Sequence, residues 1–467
     1  MAHSLDDMAE HYLQYRTIKI EELIGTGKKQ KRMDSVFTET IAEYAGEDAL
    51  ITWRLYHVLK EQIDREPDLA DLFYKIEMPL ISVLAEMEFT GVTVDSEVLK
   101  TLGKRFAEKQ EILEKEIYEL AGHPFNIASP KQLATVLFDE LGLRRVKKQS
   151  TDIEVLEELE KEHPIATKIV QHRHWAKLRG TYIEALPELI HPHTGRIHSS
   201  FNQVGTATGR VSSNNPNLQN IPVRSADGRE IRSAFVPGKG FDLLLSCDYS
   251  QIELRVLAHF SGDESLCEAF KNNEDIHARV ASEVFEVKPE EVDSDRRRAA
   301  KAVNFGVIYG QSAFGLSKQL GINQREAQKF IDGYFATYSS IRHYLELILD
   351  ECLEKGYVAT FFGRRRHFAP GTIRTVRTGN LNAAERMAIN TVIQGTAADL
   401  MKQAMVKLMP LDQFKANLLT QIHDELVFEV TQEDSARLSE HIVETMVLNQ
   451  PLRVPLVVDT KLTSCWA

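Results

Sequence analysis

The segment "QIHDELVFEV", residues 421–430, sets a polar head of His423, Asp424 and Glu425 before an apolar run of Leu426, Val427 and Phe428. The run reads as a strand, and two adjacent carboxylates at its head cost folding free energy unless they are solvated or used. In "LLTQIHDELVFEV" another strand pattern comes just before it, close enough for a tight hairpin with Asp424 at the tip. A comparable strand end occurs in "LLLSCDYSQIELR", residues 243–255, where Asp248 follows Leu243, Leu244 and Leu245. That run lacks alternation, which predicts a strand buried on both faces. One sheet can bring the two aspartates together although 424 − 248 = 176 positions separate them. Carboxylates a few ångströms apart repel unless cations lie between them. Mg²⁺ takes one or two carboxylates and fills its shell with water and phosphate oxygens. A pair of such ions ~3.5–4 Å apart stabilises both the attacking and the leaving oxygen of a phosphoryl displacement. A lone strand-end Asp more often caps a turn, so neither residue decides the matter by itself.

A third stretch, "RRAAKAVNFGVIY" (297–309), keeps the pair company. Arg297, Lys301, Phe305 and Tyr309 recur every four residues and share one face of a helix. That face grades from cationic to aromatic, whereas an ordinary amphipathic helix puts charges and aromatics on opposite sides. A nucleotide has the matching gradient, with phosphates at one end and a stacking base at the other. The plainer alternative is a helix with a solvated basic start and a buried end.

The totals set the frame. A length of 467 residues suggests about two to four domains, and 43% hydrophobic content leaves ample material for their cores. Four scattered cysteines fit neither a disulfide framework nor a zinc site, so a reducing compartment is expected. No apolar stretch nears the ~20 residues that span a bilayer, and the start lacks the order of a signal peptide. The net charge of −12 argues weakly against nucleic acid. However, residues 359–384 hold no Asp or Glu while carrying Arg364, Arg365, Arg366, Arg374 and Arg377. A polyanion needs a local basic surface rather than a basic total, so the distribution outweighs the sum.

Along the chain, a helix is predicted over about 38–61, and helices dominate 68–190. Leu99, Leu102, Phe106, Leu113, Ile117 and Leu120 recur there at helical spacing. Ser129 before Pro130 reads as an N-cap, and Thr151 with Glu154 has capping-box spacing. A basic patch (Arg144, Arg145, Lys147, Lys148) lies in the connecting loop. "IRSAFVPGKGFDLLLSCDYS" reads as two strands around a Pro-Gly-Lys-Gly turn. Helices return over 252–350 and 383–408, with strands near 416–431 and 453–462.

At this point the residues resemble a family. "DYSQIELR" (248–255), "RRAAKAVNFGVIYG" (297–310) and "QIHDELVFEV" are similar, in order, to motifs A, B and C of the family A DNA polymerases of bacteria. The likeness extends to "TGRVSSNNPNLQNIPVR" (208–224), "EDIHARVASEVF" (274–285) and "AINTVIQGTAADL" (388–400), and covers about residues 70–467. The resemblance implies an α+β right-hand architecture, a palm with an antiparallel sheet between helical fingers and thumb, and a remnant of a 3′–5′ exonuclease domain before it. The implied boundaries are 1–66 for the remnant, 67–200 for the thumb, 201–256 and 381–467 for the palm, and 257–380 for the fingers. It also implies template-directed addition of deoxynucleotides to a primer 3′ end in DNA replication and repair, by a monomer without a membrane partner. The partners are primer–template DNA and deoxynucleoside triphosphates. The cofactor is a pair of Mg²⁺ ions, with Mn²⁺ as a substitute, and the implied location is the cytoplasm of a bacterium or phage-infected cell.

Site roles follow residue by residue from the same resemblance. Asp248 and Asp424 match the metal ligands, assisted by the Tyr249 carbonyl, with Glu425 as a supporting carboxylate. Arg297, Lys301 and His277 match contacts to the triphosphate, and Lys301 is a candidate proton donor to the leaving pyrophosphate. Gln251, Phe305 and Tyr309 fall with the nucleotide, and Glu253 with Tyr309 crowds the sugar 2′ position. Phe305 stands where some relatives carry Tyr, which implies discrimination against dideoxynucleotides. Arg210 and Gln394 match residues that reach the minor groove, joined by Asn217, Gln219, Arg386 and Asn390. A minor groove that looks alike for every correct pair suits an enzyme that copies any sequence. His423 is open between a primer contact and a turn role, and "FGRRRHF" (362–368) between a DNA-backbone contact and a solvated run. Tyr44 and Asp48 resemble the last exonuclease motif. The other acidic positions of that site have no counterpart in these residues, so no proofreading is expected. Two rivals stand beside this reading. A single-subunit RNA polymerase is disfavoured by Glu253 and Phe305, and a noncatalytic DNA-binding accessory would be expected to lack Asp248 or Asp424.

Overall fold

The structure is a computed structural model that describes residues 4–147, 150–222, 225–377, 379–448 and 452–466. The chain forms two units, Met1–Met78 with Phe361–Arg364, and Pro79–Thr360 with Arg365–Ala467. In the first unit, helix α1 (Thr38–Asp64) buries Ile51 and Leu55 against Ala9, with Leu5, Met8, Tyr12, Leu13 and Leu59 packed around them. Glu47 on α1 accepts the Tyr15 hydroxyl and the Ile18 N–H, both at 2.7 Å, which ties the preceding segment to the helix. Tyr44 and Asp48 lie on α1.

The second unit opens with helices, as their periodicity predicts. Helix α2 (Ser96–Ala121) starts where Asp95 caps the Glu97 and Val98 N–H groups and stops at Gly122, whose φ of 82° only glycine adopts freely. Leu99, Leu102, Phe106, Leu113 and Ile117 line its buried face, while Leu120 is half-buried. Ser129 is the N-cap expected of it. Thr151 is not: the cap of the next helix is Asp152, and Thr151 is buried, taking Arg173 on its carbonyl and hydroxyl. A partner 22 positions on in the sequence outcompetes the local cap. In the basic patch, Arg144 pairs with Glu162 and Arg145 with Asp139; Lys148 lies outside the described residues.

The centre is a four-stranded antiparallel sheet of β1 (Leu243–Tyr249), β2 (Ala416–Ile422), β3 (Glu425–Val430) and β4 (Val458–Thr463), in the order β4-β1-β3-β2. The interior place of β1 explains its unalternating run, since Leu244 and Leu245 are fully buried. Each such side chain contributes ~1.5–3 kcal/mol on burial. Helix α3 (Ile252–Ser261) follows β1 directly, entered through Gln251 in the left-handed region. Helices α4 (Ile276–Val284) and α5 (Ser294–Ile308) pack on each other. Helix α6 (Ala383–Leu408) has the span the sequence predicts and is buried along much of its length. Phe235–Val236 is the first of the two strands read around the turn, and it pairs with Thr93–Val94. One expectation needs correction. The last strand begins at Val458, not near 453. Among the described residues no helix is long and apolar enough to cross a membrane.

Candidate active site

The two aspartates meet at one end of the sheet. Register sets Asp248 opposite Glu425 on one side and opposite Asp459 on the other. Asp424 sits in the two-residue turn between β2 and β3, and its carbonyl accepts the Tyr249 N–H at 3.0 Å. That bond fastens the hairpin tip to the end of β1. His423, exposed at the tip, takes the left-handed conformation that such a turn requires, with φ 54°. Asp248 retains solvent access, yet its crowded surroundings, and then the Asp424, Glu425 and Asp459 charges, push its pKa up to about 7. Burial also raises the pKa of Asp424, against the pull of Arg210. The Arg210 guanidinium stands 2.7 Å from Glu253 and 3.7 Å from Asp424, so one cation links two of the motifs.

This donor set suits a hard divalent cation. Among the described residues no three His, Cys, Asp or Glu side chains already converge as a ligand set. The fit therefore rests on two carboxylates and a carbonyl, which is what Mg²⁺ asks of a protein when water and phosphate complete its shell. The like charges that raise Asp248 favour a cation between them.

The graded helix face is realised on α5. At its start Arg297 pairs with Asp275 at 2.8 Å. Asp275 is itself the N-cap of α4, accepting the His277 and Ala278 N–H groups. Lys301 is exposed one turn on. His277 is buried, with its Nδ1 3.1 Å from the Asn304 amide. Burial and then Lys301 drive its pKa down to about 4, so the ring is neutral at pH 7. Phe305 lies 6.0 Å from the His277 ring. At the far end the Tyr309 hydroxyl donates to Glu253 at 2.9 Å. Glu253 is buried, which raises its pKa against the opposing Arg210 charge.

The remaining candidates are spread around this core. Gln394 hydrogen-bonds Tyr309. Arg386 donates to the Leu381 carbonyl at 2.6 Å. Asn217 accepts the Gln219 N–H, and the Gln219 amide donates to the Val211 and Gln421 carbonyls, so both side chains are engaged in shaping the loop. Gln251 Oε1 and Asn390 Oδ1 are buried without a hydrogen-bond partner among the described residues. Much of the basic run is paired internally: Arg364 with Glu77, Arg374 with Glu385, and Arg377 with Asp350. Sequence reasoning missed Asp459, Asp275 and Asn304. Asp275 had a readable signal as the N-cap of a helix; the other two are placed by tertiary contacts.

Residues 96–467 match a family model described as DNA polymerase family A, and residues 1–64 match one described as 3′-5′ exonuclease. The chain is 45% identical to DNA polymerase I of Pseudomonas aeruginosa over 99% of its length and 52% of that protein. It is 49% identical to the enzyme of that name from Chloroflexus aurantiacus, over 96% of the chain and 48% of the relative. It is also 49% identical to the thermostable DNA polymerase I of Thermus aquaticus, over 91% and 51%. The chain thus spans about half the length of these curated relatives. A solved structure, the POL domain of Pol1 from M. smegmatis in complex with DNA primer-template and dNTP, superposes with a TM-score of 0.86 at 36% identity, covering 100% of this chain and 79% of that one.

Proposed function

This chain belongs to DNA polymerase family A, and we propose that it extends a primer 3′ end with deoxynucleotides on a DNA template, in replication or repair. The observation that carries the reading is the Tyr249–Asp424 bond, which sets Asp248 and Asp424 at one sheet end beside the Glu253–Tyr309 link to α5. The right-hand architecture of the family supports thumb, fingers and palm assignments at 67–200, 257–380, and 201–256 with 381–467.

In the proposed step the primer 3′-hydroxyl gives its proton to water, its oxygen bonds the α-phosphorus of the incoming nucleotide, and the bond to the pyrophosphate breaks. Asp248, Asp424 and the Tyr249 carbonyl would hold Mg²⁺, which when bound neutralises phosphate charge and favours the deprotonated 3′-hydroxyl. Arg297 and Lys301 grip the triphosphate from successive turns of α5, and neutral His277 offers a hydrogen bond. Lys301 delivers a proton to the departing pyrophosphate. Phe305 and Tyr309 receive the sugar and base, and Glu253 with Tyr309 fills the space a ribose 2′-hydroxyl would take. Arg210, Gln394, Asn390 and Arg386 face the minor groove of the new pair. Glu253 and Phe305 favour deoxynucleotides over an RNA polymerase reading.

The test of the main reading is primer extension on a defined template with Mg²⁺. Wild type should add the templated deoxynucleotide and Asp424→Ala should not. Equal extension by both, or none by wild type, overturns it.

A further inference from the structure

Glu425 is the neighbour of Asp424 in sequence and of Asp248 in the ladder. A third carboxylate this close would compete for the same cations, yet this one has polar partners of its own. The Trp466 indole N–H donates to its Oε1 at 3.4 Å, and Arg232 Nη1 lies 4.0 Å from its Oε2. The guanidinium is stacked over the Trp466 ring, 4.0 Å from its centroid. Trp466 is itself fixed. Its backbone N–H donates to the Phe235 carbonyl at 3.0 Å, and its ring meets that of Phe235 edge-on at 5.3 Å.

Both residues are at least nine-tenths buried, Arg232 at 4% and Trp466 at 5% exposure. Arg232 reaches the Ile221 carbonyl at 3.4 Å, and its Nε has no hydrogen-bond partner among the described residues. A buried guanidinium with such sparse contacts is a poor stabiliser, and an apolar side chain would pack there at lower cost. Among the described residues its charge has one carboxylate within reach, Glu425. We propose that Arg232 and Trp466 are positioning residues that hold the Glu425 carboxylate off Asp248 and Asp424, leaving those two to face the cations. The inference rests on the reading of Asp248 and Asp424 as cation ligands.

Arg232→Met keeps bulk against the indole and removes the charge. Released, Glu425 joins the aspartates. Mn²⁺ should then bind the DNA-free protein about tenfold tighter by titration calorimetry, while kcat for single-nucleotide insertion falls about tenfold with KM for the nucleotide little changed. Adding Glu425→Gln should abolish both effects of Arg232→Met, so the two substitutions are strongly non-additive. Trp466→Phe keeps the ring and loses the N–H donor. It should shift Mn²⁺ binding the same way by a smaller factor, and it decides the matter if Arg232→Met fails to fold. Additive effects of Arg232→Met and Glu425→Gln, or unchanged Mn²⁺ binding in Trp466→Phe when Arg232→Met does not fold, overturn the inference. Asp424→Asn is the control. Mn²⁺ binding unaffected by it overturns the ligand reading, whereas lost binding there with additivity elsewhere sinks the positioning role alone.

Discussion

Glu253→Ala is expected to relax the choice of deoxy- over ribonucleotides. Glu253 is buried and accepts two charge-assisted hydrogen bonds, from Arg210 at 2.7 Å and Tyr309 at 2.9 Å. A 2′-hydroxyl entering this space must break the Tyr309 bond and separate the two side chains. A hydrogen bond to a charged group is worth about 1.5–3 kcal/mol, and every 1.4 kcal/mol is about tenfold in a rate ratio. Removing Glu253 should therefore erase roughly 10- to 150-fold of the discrimination. Tyr309→Phe, which deletes the hydrogen bond and keeps the ring, should recover only the lower end of that range. The assay is single-nucleotide insertion, comparing kcat/KM for matched deoxy- and ribonucleotides. Glu253→Ala also leaves Arg210 with Asp424 at 3.7 Å as its remaining ion-pair partner among the described residues, so a stability loss of about 1–3 kcal/mol accompanies it. An unchanged ribo-to-deoxy ratio in a folded Glu253→Ala protein would refute the reasoning.

Other outcomes follow from the same geometry. Lys301→Arg keeps a cation that cannot release a proton, so kcat should fall about tenfold or more with an altered pH profile; full kcat with the wild-type profile would remove the proton-donor role. Phe305→Tyr should raise dideoxynucleotide use at least about tenfold, read as the ratio of chain termination to extension; equal use of both by wild type would contradict this. Glu385 is held down to about 2 by hydrogen bonds from Arg374, below its ordinary 4.5. A depressed folded value stabilises above the unfolded pKa and is lost as pH falls from about 4.5 towards 2. Glu385→Gln should therefore cost about 2–3 kcal/mol at pH 7, allowing for the partial exposure of Arg374, and the penalty should vanish near pH 2. Denaturant melts across that pH range check it, and a pH-independent penalty would mean that the ion pair is not its source.

Local chemistry made several parts legible. The unbroken Leu243–Leu245 run announced an interior strand, and the structure places it between two partners. The limits of α6 and the face of α2 followed from caps and periodicity. The meeting of Asp248 and Asp424 followed from two strand ends and the chemistry of repulsion, and Arg297, Lys301 and Phe305 do lie on one helix, with Tyr309 just past its end. What stayed hidden depends on distant partners. Nothing near Phe235 points to Thr93, and nothing in "VDTKL" marks Asp459 as the residue facing Asp248. The acid-free run of arginines suggested an open basic surface, but its counterions come from elsewhere in the chain, at Glu77, Asp350 and Glu385.

The central claim is that Asp248 and Asp424 share a cation pair in front of α5. Anomalous diffraction from crystals grown with primer–template DNA, a nonhydrolysable deoxynucleotide and Mn²⁺ tests it most directly. The account expects two Mn²⁺ peaks ~3.5–4 Å apart between those carboxylates, with the phosphates lying along Arg297 and Lys301. Metal peaks elsewhere, or aspartates too far apart to share ions with DNA and nucleotide in place, would contradict it.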